Sequence, residues 1–398
     1  LKLLIMFISF IFKISKVAKQ SFKKKINISS ANSCVKTFKA NNYDNIFKKS
    51  PLFNPNKIYF HTSNPRNAIP PILVLALRSI VKLGPVISGR IIRRWWQKLP
   101  QEEKEKILQQ IYSKKTKIAC CGTIFIGALY LYYLENITEE PLTKRKRFMV
   151  LNQKQLYQIA EFEYNQQMRT YKQNIVPAWH PLYRRVTRVA NNLLLSNRDL
   201  KEIRDKTWTV IVVDRPDITN AFALPHGKIF VFTGMLNLCT NDHQLAIVLA
   251  HEISHSILSH TAESMSKIFL MEFILIIPSL IFWSILSDAW ALFSEWITAN
   301  IASVLIHLPF SRAIEKEADF VGLQLAAKSC YDIREAPIFW GKLKVLSSDA
   351  VLEWLSTHPR HESRQSELKE LLPQALELRE KSNCPPLVSN IHYFPWAM

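Results

Sequence analysis

Asn241-Asp242-His243-Gln244-Leu245-Ala246-Ile247-Val248-Leu249-Ala250-His251-Glu252-Ile253-Ser254-His255 is the stretch from which the fold can be read. Asn241 or Asp242 supplies an oxygen suited to capping a helix start. From Leu245 to Ala250 every side chain is apolar, which predicts a helix buried on most of its faces. Residues four apart on a helix share a face, with Cβ atoms about 5–6 Å apart. His251 and His255 can therefore reach one zinc ion at about 2.0–2.1 Å. Glu252 is displaced by one residue, too far round to be a third ligand, and is placed to act as a general base on water beside the metal. The alternative is two ordinary surface histidines. The apolar setting argues against it, because burying two imidazoles and a carboxylate without a metal or partners is costly.

A catalytic zinc takes three protein ligands and keeps one position open. His260 follows His255 by five residues, and the glycine turn and more distant histidine of the longer HExxHxxGxxH signature are absent, so His260 is not expected to be a ligand. Ser311-Arg312-Ala313-Ile314-Glu315-Lys316-Glu317-Ala318-Asp319 supplies a better candidate. Glu315 and Asp319 lie four apart on one helix face: Glu315 as the third ligand, Asp319 hydrogen-bonded to the outer nitrogen of a ligand histidine. Arg312, one turn before Glu315, is read with Asp319 as an outer partner of the ligands. Glu317 lies about 200° round the helix from Glu315 and is expected to face solvent.

Around these motifs the chain reads as mainly α with a small β-sheet (α+β), a zincin-type architecture. Helices are expected over 153–175 and 180–198, and helices again dominate from the metal motif to about residue 380. Residues 208–213 and 228–233 read as strands by their β-branched and aromatic content, with the turn formers Pro216, Pro225 and Gly227 between them. Eight glycines and no GxGxxG or P-loop pattern give no sign of nucleotide chemistry. The six cysteines include no CxxC pair, and a disulfide framework is not expected.

Charge is concentrated at one end. The chain is +20 overall, and residues 1–100 carry 19 of its basic residues against the single acid Asp44. The body is nearly neutral, which argues against nucleic acid as a partner. An acid-poor leader rich in Lys, Ser and Asn, over 1–70, has the character of a mitochondrial transit segment; the short apolar run Leu3–Phe12 leaves a secretory signal as the competing reading. Residues 71–117 form a basic segment, placed on the matrix side. Ile118–Leu134 is 17 residues without a charge, about 25 Å as a helix, with Lys114, Lys115 and Lys117 before it and Tyr130, Tyr132 and Tyr133 near its other end. It reads as an N-terminal transmembrane helix, with a buried core helix as the alternative. The domain that follows, 135–390, would then face the intermembrane space, ahead of a tail at 391–398. Between the two metal motifs, Phe273–Ser287 and Trp296–Phe310 are uncharged. One crossing there would put Glu315 and His251 on opposite sides of a membrane. So 268–308 either crosses as a hairpin, enters shallowly or packs over the domain, and a membrane-associated helical hairpin is favoured.

His251–His255 together with Glu315-Lys316-Glu317-Ala318-Asp319 resembles the gluzincin family that includes the HtpX-like proteases and the CAAX-prenyl endopeptidases. Asn220–Gly234 is similar to that family's strand before the zinc helix, and Thr357-His358-Pro359 with Arg364 to its late motif. Within the family, Trp354–Pro359 and Asn383-Cys384-Pro385-Pro386-Leu387 resemble the OMA-type proteases of the mitochondrial inner membrane, whose activity overlaps with that of the m-AAA protease. The resemblance covers about residues 85–390. It implies one Zn2+ per chain and ATP-independent cleavage of membrane proteins under stress, including the dynamin-like fusion GTPase. It further implies an extended substrate added to strand 228–233 through Ile229, Val231 and Thr233, and an oxyanion stabilised by His358 and Arg364. Inner-membrane lipid is the other expected partner, and self-association is left open. A CAAX-prenyl-type endopeptidase and a catalytically inactive membrane scaffold are the competing readings.

Overall fold

The computed structural model describes residues 71–302, 308–346, 354, 358 and 364–387. The expected leader at 1–70 and tail at 391–398 lie outside the described residues. The chain starts with three helices, α1 (Pro71–Lys98), α2 (Gln101–Ser113) and α3 (Lys115–Glu135). A hairpin of β1 (Ile137–Glu139) and β2 (Lys146–Phe148) leads to α4 (Gln153–Thr170), α5 (Pro181–Ser196) and a single turn, α6 (Lys201–Arg204). Strands β3 (Thr209–Val213), β4 (Ala221–Ala223) and β5 (Lys228–Phe232) precede the short α7 (Thr233–Leu238) and the motif helix α8 (Asp242–Ile257). Then come α9 (His260–Ile285), α10 (Asp288–Ala302), α11 (Leu308–Lys328), α12 (Glu335–Leu346) and α13 (Arg364–Lys381). The α+β reading and both expected strands agree with this order. The hairpin β1–β2 and strand β4 gave no signal in the sequence, because each is three residues long and β1 and β2 are polar.

The larger sheet has the order β3-β5-β4, with β5 parallel to β3 and antiparallel to β4. Alternating side chains divide it into two buried faces. Val210, Val212, Ile229 and Val231 pack into the core formed with α5, α8 and α11. Ile211, Val213, Phe230 and Phe232 pack against Ala160, Tyr164 and Met168 of α4. Covering on both sides explains why the strands are continuously apolar rather than alternating. It also corrects the expected substrate strand. Ile229 and Val231 are fully buried, and β5 is hydrogen-bonded along both edges, so it has no free edge for an added peptide. Thr233 is the first residue of α7, its hydroxyl 3.2 Å from Asp214.

Helix α8 begins where Asn241 Oδ1 accepts a hydrogen bond from the Gln244 amide at 2.8 Å, and Asp242 is held by Arg185 and Arg188. It ends at Leu258, and Ser259 takes a left-handed conformation (φ 55°) that redirects the chain into α9. Arg147, from β2, donates to the Leu258 carbonyl at this end, which complements the negative end of the helix dipole. Helix α11 lies across α8. Gly322 makes the approach, since a Cβ there would stand 3.0 Å from the His251 amide nitrogen and 3.1 Å from its Cα.

Helices α9 and α10 form a hairpin in which Ser279 and Trp283 of α9 donate to Glu295 of α10. At its tip, Asp288 pairs with Arg90 and Arg93 of α1, and Gly89 of α1 packs directly on Trp283. Among the described residues two helices, α3 and α9, are long and apolar enough to cross a membrane by length and composition. One disulfide, Cys330–Cys384, ties the end of α11 to the segment after α13. It runs against the expectation of no disulfide framework: the two cysteines are 54 residues apart, and nothing in the spacing pairs them.

Gly322→Val should force α11 away from α8. The expected result is a loss of about 1–3 kcal/mol of stability, the usual range for overpacking, read as a lower midpoint in chemical denaturation. A midpoint equal to that of the wild type would show that the approach is not tight.

Candidate metal centre

Three elements converge at the open face of α8. His251 and His255 lie one turn apart, with Nε2 atoms 3.1 Å from each other. Helix α11 brings Glu315, whose carboxylate oxygens lie 3.3 Å from His251 Nε2 and 3.5 Å from His255 Nε2. His358, 43 residues further on, places Nδ1 3.0 Å from Glu315 Oε1 and 3.3 Å from His251 Nε2. These four residues offer ligand atoms that all lie within 4.8 Å of one another. A tetrahedral zinc with bonds of about 2.0–2.1 Å needs ligand atoms about 3.3 Å apart. The separations among His251, His255 and Glu315 bracket that value, so the donor set fits such an ion in size as well as in chemistry.

The outer partners orient the donors. His251 Nδ1 lies 3.0 Å from Asp319, which fixes the tautomer that directs the Nε2 lone pair into the cluster. Arg364 joins the two acids: Nε and one terminal nitrogen reach Asp319 at 2.5 and 2.7 Å, and the other reaches Glu315 at 3.0 Å. Its guanidinium lies 3.5 Å above the Trp340 ring. Burial alone would raise the Glu315 pKa, but hydrogen bonds from His251 and His358 hold it far below the ordinary carboxylate range. Burial would lower that of His251, yet its bonds to Asp319 and Glu315 outweigh this and hold it at about 9. His255, by contrast, is pushed well down by burial and then by the neighbouring His251. Glu252 is buried on the adjacent face, where Trp354 Nε1 donates to Oε1 at 3.0 Å and His358 Nε2 lies 3.5 Å away. Trp354 in turn stacks on Trp340.

The structure thus brings together His251, Glu252, His255, Glu315, Asp319, His358 and Arg364. Arg312 is not among them. It is exposed at the start of α11, one turn short of the cluster, and the guanidinium beside the acids is that of Arg364. Arg364 is itself enclosed by two carboxylates and an indole, which makes it a brace for the ligand acids rather than a free donor to an oxyanion. Glu317 is also placed differently from the expectation: it is buried, and bonded to His260, Arg145 and Thr143. Glu317 does lie on the side of α11 opposite Glu315, but that side is covered by the β1–β2 loop. Trp340 and Trp354 were missed as site residues, and no pattern distinguishes a tryptophan that lines a site from one in the core.

A family model described as Peptidase family M48 matches residues 182–372. Among curated proteins the chain is similar to the mitochondrial metalloendopeptidase OMA1 of Bos taurus, at 39% identity over 82% of this chain and 64% of that protein. The Danio rerio protein of the same name is 37% identical over 82% of this chain and 70% of its own length. That of Schizosaccharomyces pombe is 31% identical over 64% and 72%. The match to the bovine protein therefore spans less than two thirds of that protein.

Arg364→Leu should remove the guanidinium that pairs with both buried carboxylates and cost about 3–5 kcal/mol, the range for breaking a buried ion pair. Equilibrium denaturation of the metal-free protein is the measurement. Adding Asp319→Asn should recover part of the loss, because the two changes share one network. Strict additivity would argue against the brace.

Proposed function

The chain belongs to peptidase family M48, the family of the mitochondrial OMA1 metalloendopeptidases, and we propose that it is a zinc endopeptidase anchored in the mitochondrial inner membrane. The observation that carries this reading is the set of His251, His255 and Glu315, His251 and Glu315 buried and His255 half-buried, at the spacing a tetrahedral zinc requires, with Glu252 beside it. Bound there, zinc would supply a Lewis acid for the scissile carbonyl.

The residues of the chain do the rest. Glu252 takes a proton from the attacking water and delivers it to the leaving amine; the Trp354 indole holds the carboxylate in place. His358, within reach of both Glu252 and Glu315, donates to the oxyanion that develops on the carbonyl. An extended substrate pairs with β4, the edge strand beside α8. Asn220 and Leu224 use their backbone groups toward β5, so the groups of Ala221 and Ala223 point to the outer edge.

Membrane anchoring rests on α3, which buries none of its residues and carries Lys114, Lys115 and Lys117 at its start. Tyr133 and Phe148 stack at its other end, where it enters the domain. The hairpin α9–α10 adds apolar surface through Ile277, Ile281, Ile285, Trp290, Phe293 and Trp296, and is read as membrane-associated. The disulfide suits an oxidising compartment, and the basic residues before α3 suit the matrix side. Both support a peptidase that faces the intermembrane space. Its substrates, on this reading, are inner-membrane proteins, the dynamin-like fusion GTPase among them.

The test is cleavage of an unfolded reporter by detergent-purified wild type and Glu252→Gln, with zinc measured on both. Zinc in both proteins and cleavage by the wild type alone are expected. A wild type without zinc would sink the metal assignment.

A further inference from the structure

The two ligand histidines are supported differently. His251 meets its outer carboxylate directly, through Nδ1 and Asp319. His255 meets none. Its Nδ1 lies 2.9 Å from Nδ1 of His260, and His260 Nε2 lies 3.0 Å from Glu317 Oε2. Both His260 and Glu317 are buried. Only one arrangement of protons satisfies this chain while leaving His255 able to bind a metal. His255 carries its proton on Nδ1 and donates to His260 Nδ1, while His260 carries its proton on Nε2 and donates to Glu317. His255 Nε2 then keeps a lone pair directed at the cluster.

The far end of the chain is anchored. Arg145 Nε donates to Glu317 at 2.8 Å and its terminal nitrogens hold Glu263 at 2.8 and 2.5 Å, while the Thr143 hydroxyl also donates to Glu317. Thr143 and Arg145 belong to the loop of the hairpin that follows α3. The arrangement repeats that on the other side of the metal site, where Arg364 braces Asp319 and Glu315. It also depends on the left-handed turn at Ser259, which brings α9 back so that its first residue faces His255.

We propose that His260 and Glu317 are positioning residues for the metal ligand His255: a histidine–carboxylate relay that sets its tautomer and ring orientation, fixed to the hairpin loop through Arg145. The relay rests on the zinc reading above but assigns residues that the reading does not use. Outer partners of this kind typically contribute about 10–100-fold to metal affinity.

The experiment is a competition titration of Zn2+ against a chromophoric chelator, on the full-length detergent-purified protein stripped of metal, with Co2+ absorption spectra as a second readout. His260→Leu should weaken Zn2+ binding by about 10–100-fold and alter the Co2+ spectrum. His260→Asn, whose Oδ1 stands where Nδ1 does, should restore most of the affinity, and Glu317→Gln should fall between them. Thermal unfolding of the metal-free forms separates these effects from loss of fold. If His260→Leu does not fold, the comparison is His260→Asn against His260→Gln, whose carbonyl is set one bond further out; tighter binding by the Asn variant supports the relay. A folded Leu variant that binds Zn2+ like the wild type, or Asn and Gln variants that bind equally, would overturn it. A wild type that binds no metal would instead remove the zinc reading on which the relay rests.

Discussion

Glu315 is a carboxylate at 3% exposure, and the site depends on making that tolerable. A buried charge without partners is costly by several kcal/mol, and breaking one of its pairs leaves the remainder stranded. Here the carboxylate is surrounded by His251, His255, His358 and Arg364, contributed by α8, the segment around residue 358, and α13. Those elements are distant in sequence and have to meet within about 3.5 Å of one side chain. The Gly322 contact, the indole pair Trp340–Trp354 and the Arg364 brace are parts of the same solution: they press three separate pieces of chain onto one anion and one cation site.

That requirement also separates what could be read from the sequence from what could not. His251 and His255 lie one helix turn apart, and so do Glu315 and Asp319, so helical periodicity alone places each pair on one face, with Glu252 on the face beside the first pair. Arg364 is legible only through a resemblance, because whether a guanidinium faces an oxyanion or two ligand acids is decided by α11 and α13 packing together. Arg312 illustrates the opposite error. It stood at the right helical spacing, but the cluster lies a turn beyond it. For Glu317 and His260 the local helix geometry points away from the cluster, and tertiary packing decides otherwise. What covers them is the loop of a short polar hairpin, with Thr143 and Arg145 far upstream of His260, for which no periodic signal exists.

The sheet raises the same point about edges. Strand β5 was legible as a strand because both of its faces are buried, and that same burial removes it as a docking edge. Strand β4, three residues long with two alanines, is invisible to propensity, yet the β3-β5-β4 order makes it an edge strand with one row of backbone groups turned outward. In a sheet, the strand easiest to recognise by composition is the one most enclosed, whereas recognition of a partner strand needs an edge.

The interval between the two metal motifs shows how one constraint governs the architecture on both sides. His255 and Glu315 must share a metal, so whatever the chain does between them it must return. The hairpin α9–α10 achieves this by turning at Ser287–Asp288, and Glu295 accepts hydrogen bonds from Ser279 and Trp283 so that the two helices stay together. Asp288 at the tip is paired with Arg90 and Arg93, which lie upstream of α3. The basic segment before the candidate span and the tip of the hairpin therefore lie together, while the other ends of α3 and α9 both enter the peptidase domain. Tyr133 and Phe148 stack where α3 enters it, and Arg147 reaches the carbonyl that ends α8. A membrane passing between these two levels would leave the metal site whole on one side and the arginine-rich end on the other. That is the arrangement a chain needs if its metal ligands are separated by a hydrophobic excursion.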